Sequence, residues 1–277
     1  RDDWHYLTYV ILPLAISGRL NAMDLNLLQW PRNSKTWDID CRDVICAKDD
    51  EDLISLDLSK IERLTCAVLF NDPVMLEEVN LGSRAFSKMA SEVFGIPEDQ
   101  CSKGTDWYVA IKTSAYSHQY FCQEETLHQY LFKQDIFIPV EECRRILDFL
   151  DERYSAYINN AESFIWHIIN KRDPCYITSF QGRKFDIAKP IELTGFSSLR
   201  DIKLTRNKKA KAAWAALCRK ITSLAIQGTA TGDNAQVMGL RCADGLDRLT
   251  KPNYWSEIRT LNGDWNEASL WAIIHDS

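Results

Sequence analysis

From Val140 to Lys171, after Pro139, apolar residues recur at Leu147, Leu150, Tyr154, Tyr157, Ala161, Phe164 and Ile168, alternately three and four apart. That is a heptad seam, and it commits roughly thirty residues to helix. A seam of this kind needs a surface to pack against. Three heptads make a minimal coiled coil, so burial inside the chain is a simpler account than pairing with a second copy. Asn159-Asn160 is the point at which the seam would be interrupted.

Other elements follow from local signals. Asp72-Pro73 is a cap followed by a proline at the first helical position. Ser83 opens a helix through Phe94, stopped by Gly95. Ile61, Leu64 and Val68 have helical spacing, and Glu124 to Lys133 is a short helix. Thr105 to Tyr120 fits helix and strand equally. Cys175 to Phe180 and Arg183 to Ile187, around Gln181-Gly182, form a small hairpin. A second strong helix runs from Asn207 to Gln227, with Gly228 as its stop. Trp4 to Leu28 has interrupted helical spacing, and Trp37 to Val44 alternates as a strand does. The expected fold is mostly α with a minor β element, bundle-like around one long central helix at about 140–171. The expected division is an N-terminal mixed region, 1–135, and a C-terminal helical region, 136–277.

A weak internal duplication pairs 11–37 with 221–255. Ile11, Leu14, Ala15, Ile16 and Gly18 line up with Ile221, Leu224, Ala225, Ile226 and Gly228. Each copy would be a helix stopped by glycine, followed by a proline and a tryptophan.

Charge narrows the function. The chain carries a formal -6, yet residues 202–232 contain no acid and hold Lys203, Arg206, Lys208, Lys209, Lys211, Arg219 and Lys220. On a wheel Trp214, Leu217, Ile221, Leu224 and Ala225 share a face, and the cations rim it. Such a helix can meet an acidic protein surface or nucleic-acid phosphates, or its lysines can simply snorkel around a buried stripe. Residues 38–62, with nine acids against three bases, are a candidate acidic counterpart. Asp38 and Asp40 share a strand face there, where a solvated surface is a plainer role than a divalent-ion site.

Few motifs carry chemistry. The P-loop, GxGxxG, GxSxG and HExxH patterns do not occur, so no cofactor is expected. His118, Cys122 and His128 are the best metal candidates, but paired CxxC or HxxxH elements are missing and packing explains them better, so no metal is expected. The nine scattered cysteines fit reduced thiols in a cytoplasmic protein. No apolar run reaches the length of a membrane span.

Cys242-Ala-Asp244-Gly-Leu-Asp-Arg248 has the C-x5-R spacing, in which backbone N–H groups wrap a phosphate, the thiolate attacks phosphorus and the arginine clamps two oxygens. Its wording resembles the myotubularin-like lipid phosphatases over about eight residues. The resemblance implies a catalytic role for Cys242, Asp244 and Arg248. Arg241 stands where that family has histidine.

The leading expectation is a non-catalytic interaction or regulatory protein, cytoplasmic and bacterial. It would act through the basic helix at 203–220 on a protein partner or a second copy of itself. The alternatives are a cysteine-dependent phosphatase and a nucleic-acid-binding regulator.

Overall fold

The computed structural model describes residues 58–170 and 175–234, together with the backbones of four short strands. The chain divides into two compact units, one comprising Lys60–Thr229 and the other Arg1–Ser59 with Ala230–Ser277.

In the second of these units, strands β1 (Val10–Leu12) and β2 (Asn21–Met23) pair antiparallel, so part of the expected N-terminal helix is extended chain. Strands β3 (Ile54–Leu56) and β6 (Ala272–Ile274) pair in parallel, with Leu56 opposite Ile274. The two segments of the suspected duplication differ in secondary structure, since Val10–Leu12 is a strand and Ile221–Gln227 is helical.

The Lys60–Thr229 unit holds helices α1 (Ile61–Leu69), α2 (Pro73–Leu81), α3 (Arg84–Phe94), α4 (Asp106–His118), α5 (Glu124–Phe132), α6 (Val140–Arg153), α7 (Ser155–Ile169), α8 (Leu199–Leu204) and α9 (Lys208–Gln227). Between α7 and α8 lies the antiparallel hairpin of β4 (Tyr176–Thr178) and β5 (Lys184–Asp186), where the turn signals placed it. The protein is mostly α with a minor β element, as the periodicities require.

Local chemistry accounts for the helix starts. The Asp72 carboxylate accepts from the Met75 N–H at 2.8 Å, and the Thr105 hydroxyl from the Tyr108 N–H at 3.3 Å. The Asn207 side chain accepts from Lys209 and Ala210. Each satisfies a backbone donor that the first helical turn leaves without a partner.

Most of the long seam is buried inside the monomer, but as two helices, and Phe164 is exposed. Leu150, Tyr154, Tyr157 and Ala161 are fully enclosed. The helix breaks at Tyr154 (φ -108°, ψ 40°) rather than at Asn159-Asn160. The cause is tertiary. Asp72, already capping α2, turns its second oxygen to the Tyr157 N–H at 2.8 Å and so caps α7 as well. Asn160 donates to the Phe70 carbonyl at 2.8 Å instead of interrupting anything.

Gly228 does not stop α9. It keeps helical angles, and the chain continues as a π-helical turn, Gly228–Asn234. Its small size answers a close approach, because a Cβ there would lie 2.8 Å from the Phe185 ring. On α1 the phase of burial also differs from the apolar spacing. Val68 is exposed, while Arg63, Cys66 and Ala67 face the core.

Candidate functional site

Helix α4 is where chemistry collects. One face packs inward through Ala110, Ile111, Ser114 and Ala115, all fully buried. The opposite face carries Lys112 and Tyr116, four residues and therefore about 6 Å apart along one stripe, and Tyr120 lies in the turn just beyond the helix. That stripe floors an open groove of about 860 Å³ within the Lys60–Thr229 unit. Lys103 and Gly104 lie at its start, Glu62 of α1 and Arg219 of α9 also line it, and Tyr130 and Gln134 complete a wall.

The two ends of the groove differ. Ahead of α4 and midway along it the groove is cationic, with Lys103 and an exposed Lys112, whose Nζ lies 6.0 Å from the Tyr116 ring centre. The helix N-terminus adds its own partial positive charge. At the far end the Tyr120 hydroxyl donates to Glu62 Oε2 at 2.5 Å, and the Gln227 side chain also hydrogen-bonds that hydroxyl. Burial, reinforced by the Glu62 charge, pushes the Tyr120 phenol well above its ordinary range, so it stays a donor at neutral pH. Behind the stripe, Phe86 of α3 meets Tyr108 edge-on at 5.8 Å and Tyr116 at 6.2 Å, which fixes the Tyr116 ring from its inner side. The Thr113 hydroxyl donates to the Gln134 side chain at 3.3 Å and ties the wall to α4. Cations, aromatic faces and one carboxylate in an open groove suit a ligand with a phosphate chain at one end and a flat, polar-edged ring at the other.

Of the seven cations singled out in the sequence, only Arg219 reaches this groove. Lys203 pairs with Glu162 of α7 at 2.5 Å. Arg206, Lys208, Lys209, Lys211 and Lys220 are exposed, while Trp214, Leu217, Ile221 and Leu224 are buried along the expected stripe.

The three metal candidates have different partners. His118 Nε2 meets Asp151 at 2.8 Å, His128 Nδ1 meets the Ile138 carbonyl at 2.7 Å, and the Cys122 thiol points to the Gln123 carbonyl. Burial pushes the Cys122 thiol up to about 11, which keeps it protonated and a poor nucleophile. Cys242, Asp244 and Arg248 lie outside the described residues.

Sequence reading missed Glu62, Lys103, Lys112, Tyr116 and Tyr120. The signal was the four-residue spacing of Lys112, Tyr116 and Tyr120, visible only once 105–120 is assigned to helix.

Comparison with known proteins decides the family. The sequence profile of DNA polymerase family A matches residues 6–252. The chain belongs to DNA polymerase family A. This membership overturns the expectation of a non-catalytic regulatory protein and, with it, the phosphatase alternative built on Cys242 and Arg248. No relative among curated proteins matches the sequence. Among solved structures, the chain is similar to the POL domain of Pol1 from M. smegmatis, in complex with DNA primer-template and dNTP, with a TM-score of 0.59 and 21% identity. That likeness is one of fold. It covers 81% of this chain and 35% of the polymerase chain, so the present chain spans about a third of that structure's length. Among the described residues, no helix is long and apolar enough to cross a membrane.

Proposed function

We propose that this chain forms the nucleotide-handling part of a template-directed DNA polymerase, and that the groove along α4 receives the incoming deoxynucleoside triphosphate. The observation that carries this reading is the convergence of Lys103, Lys112, Tyr116, Tyr120 and Glu62 on one groove in a chain of this family. Lys112 and Lys103 neutralise the triphosphate. Tyr116 offers its ring to the flat end of the nucleotide. The Tyr120–Glu62 hydrogen bond closes the far end and keeps the two side chains in one arrangement. Phosphoryl transfer asks a protein mainly for positioning and charge stabilisation, and those are what these groups provide.

Polymerases of this chemistry also use divalent cations. The sequence leaving β3 is Asp57, and the sequence leaving β6 is His275-Asp276. Carboxylates are the hard-oxygen donors that Mg²⁺ prefers. Asp57 and Asp276 are the carboxylates that would bind such cations.

Nucleic acid is the macromolecular partner of this reading. The exposed Arg206, Lys208, Lys209, Lys211 and Lys220 would meet the DNA backbone, and Arg219 would meet a phosphate at the far end of the groove. Log affinity for a primer-template should fall linearly with log salt. Reversing Lys208, Lys209 and Lys211 to Glu should make that slope shallower by about two to three. An unchanged slope removes the basic row from the interface.

The groove itself is tested by titrating the full chain, with primer-template and Mg²⁺ present, with a deoxynucleoside triphosphate. Lys112→Ala should weaken binding about tenfold or more, the loss of a charge-assisted contact. Equal affinity in the variant contradicts the assignment.

A further inference from the structure

Arg63 sits beside Glu62 on α1, yet its side chain is only 2% exposed. A buried guanidinium is costly unless every part of it is used. Here both terminal nitrogens and the flat face are used. One end of its fork pairs with Glu78 of α2 at 3.4 Å. The other donates to the Ala115 carbonyl of α4 at 3.4 Å. Its flat face lies over the Tyr154 ring, 4.7 Å from the centre.

The Ala115 contact is the informative one. That carbonyl belongs to the last turn of α4 and also accepts from the Gln119 N–H, in a long bond of 3.4 Å. Tyr116 follows it directly and Tyr120 follows Gln119. A cation at a helix C-terminus is favourable in its own right. Arg63 therefore grips the last turn of α4, which carries Tyr116 and leads into Tyr120, while its neighbour Glu62 accepts from Tyr120.

Glu78 does not depend on Arg63. Arg153 Nε meets it at 2.6 Å, the Tyr154 hydroxyl donates to it, and Arg153 in turn pairs with Glu92 at 2.7 Å. Packing alone would be met by an apolar side chain at position 63. The guanidinium adds a fixed distance between α1 and the end of α4.

We propose that Arg63 is a positioning residue for the nucleotide groove, holding α1 against the last turn of α4 so that Glu62 and Tyr120 stay engaged. The inference rests on the nucleotide reading of the groove. It also makes a distinction within that groove. Lys103 precedes α4 and Lys112 lies midway along it, both before the turn that Arg63 holds.

The test compares the full chain with Arg63→Met and Arg63→Lys, each checked for a cooperative thermal transition. Affinity is measured for a deoxynucleoside triphosphate and, separately, for inorganic tripolyphosphate. Arg63→Met should bind the nucleotide about tenfold more weakly and bind tripolyphosphate as the unaltered chain does. Arg63→Lys, which keeps a donor for Ala115 but not the fork, should show a smaller loss of the same kind. Should Arg63→Met fail to fold, Arg63→Lys decides alone, and a selective loss of nucleotide affinity supports the proposal. Unchanged nucleotide affinity in the folded variants overturns it, as does an equal loss for both ligands, which marks general loosening. An unaltered chain that binds neither ligand overturns the groove reading and this proposal together. Binding that is lost in Lys112→Ala but kept in Arg63→Met overturns this proposal only.

Discussion

Asp72 shows how much one side chain can settle. It is 1% exposed, and its two oxygens cap two helices whose capped residues, Met75 and Tyr157, lie far apart in sequence. Asp72→Ala should therefore cost more than an ordinary cap, about 2–4 kcal/mol, because two buried N–H groups lose their acceptor. Denaturant unfolding of the variant checks this, and a cost below about 1 kcal/mol would mean that the chain re-satisfies both donors. Half of this role is legible in the sequence, since Asp72-Pro73 announces the start of α2. The other half is not, because nothing local marks Tyr157 as a residue whose N–H is met by a distant carboxylate. Arg63 is similar. Its charge suggests a surface position, and only the partners brought to it by α2, α4 and Tyr154 make its burial tolerable.

At the scale of elements, periodicity and caps located the helices well where a cap or breaker bounded them. Helix α2 starts where its Asp72 cap predicts, α3 starts after Ser83 although that side chain makes no capping bond, and Gly95, with φ 66°, ends α3. Segment 105–120 was ambiguous because Trp107 to Ile111 is an unbroken apolar run, which suits either period. The Thr105 cap and the inward face through Ser114 and Ala115 decide for helix. The α6–α7 seam is intramolecular, which fixes how it responds to damage. Leu150→Asp places a charge at a fully enclosed position and should destabilise the unit by more than about 3 kcal/mol. Light scattering and circular dichroism together test this. The variant should lose cooperative unfolding. A folded variant of halved mass would show instead that the seam joins two protomers.

Across the whole molecule, class was legible and function was not. Apolar spacing and scarce strand patterns are enough for a mostly α chain. The candidate site is assembled from α1, α4 with the segments on either side of it, α5 with the turn after it, and α9, and its residues are common types. Lys112, Tyr116 and Tyr120 line up only once 105–120 is helical, and Glu62 and Lys103 join them only through the fold, whereas the C-x5-R spacing is visible without any fold. The basic segment was the better clue, since its Arg219 reaches the groove.

Primer extension tests the account most directly. With a primed template, Mg²⁺ and one deoxynucleoside triphosphate at a time, the chain should add the nucleotide complementary to the first unpaired template base. Lys112→Ala should slow that addition on the order of a hundredfold, the scale of removing one charge-stabilising group from a phosphoryl-transfer site. Extension at an unchanged rate in Lys112→Ala, or addition without regard to the template base, would contradict the account.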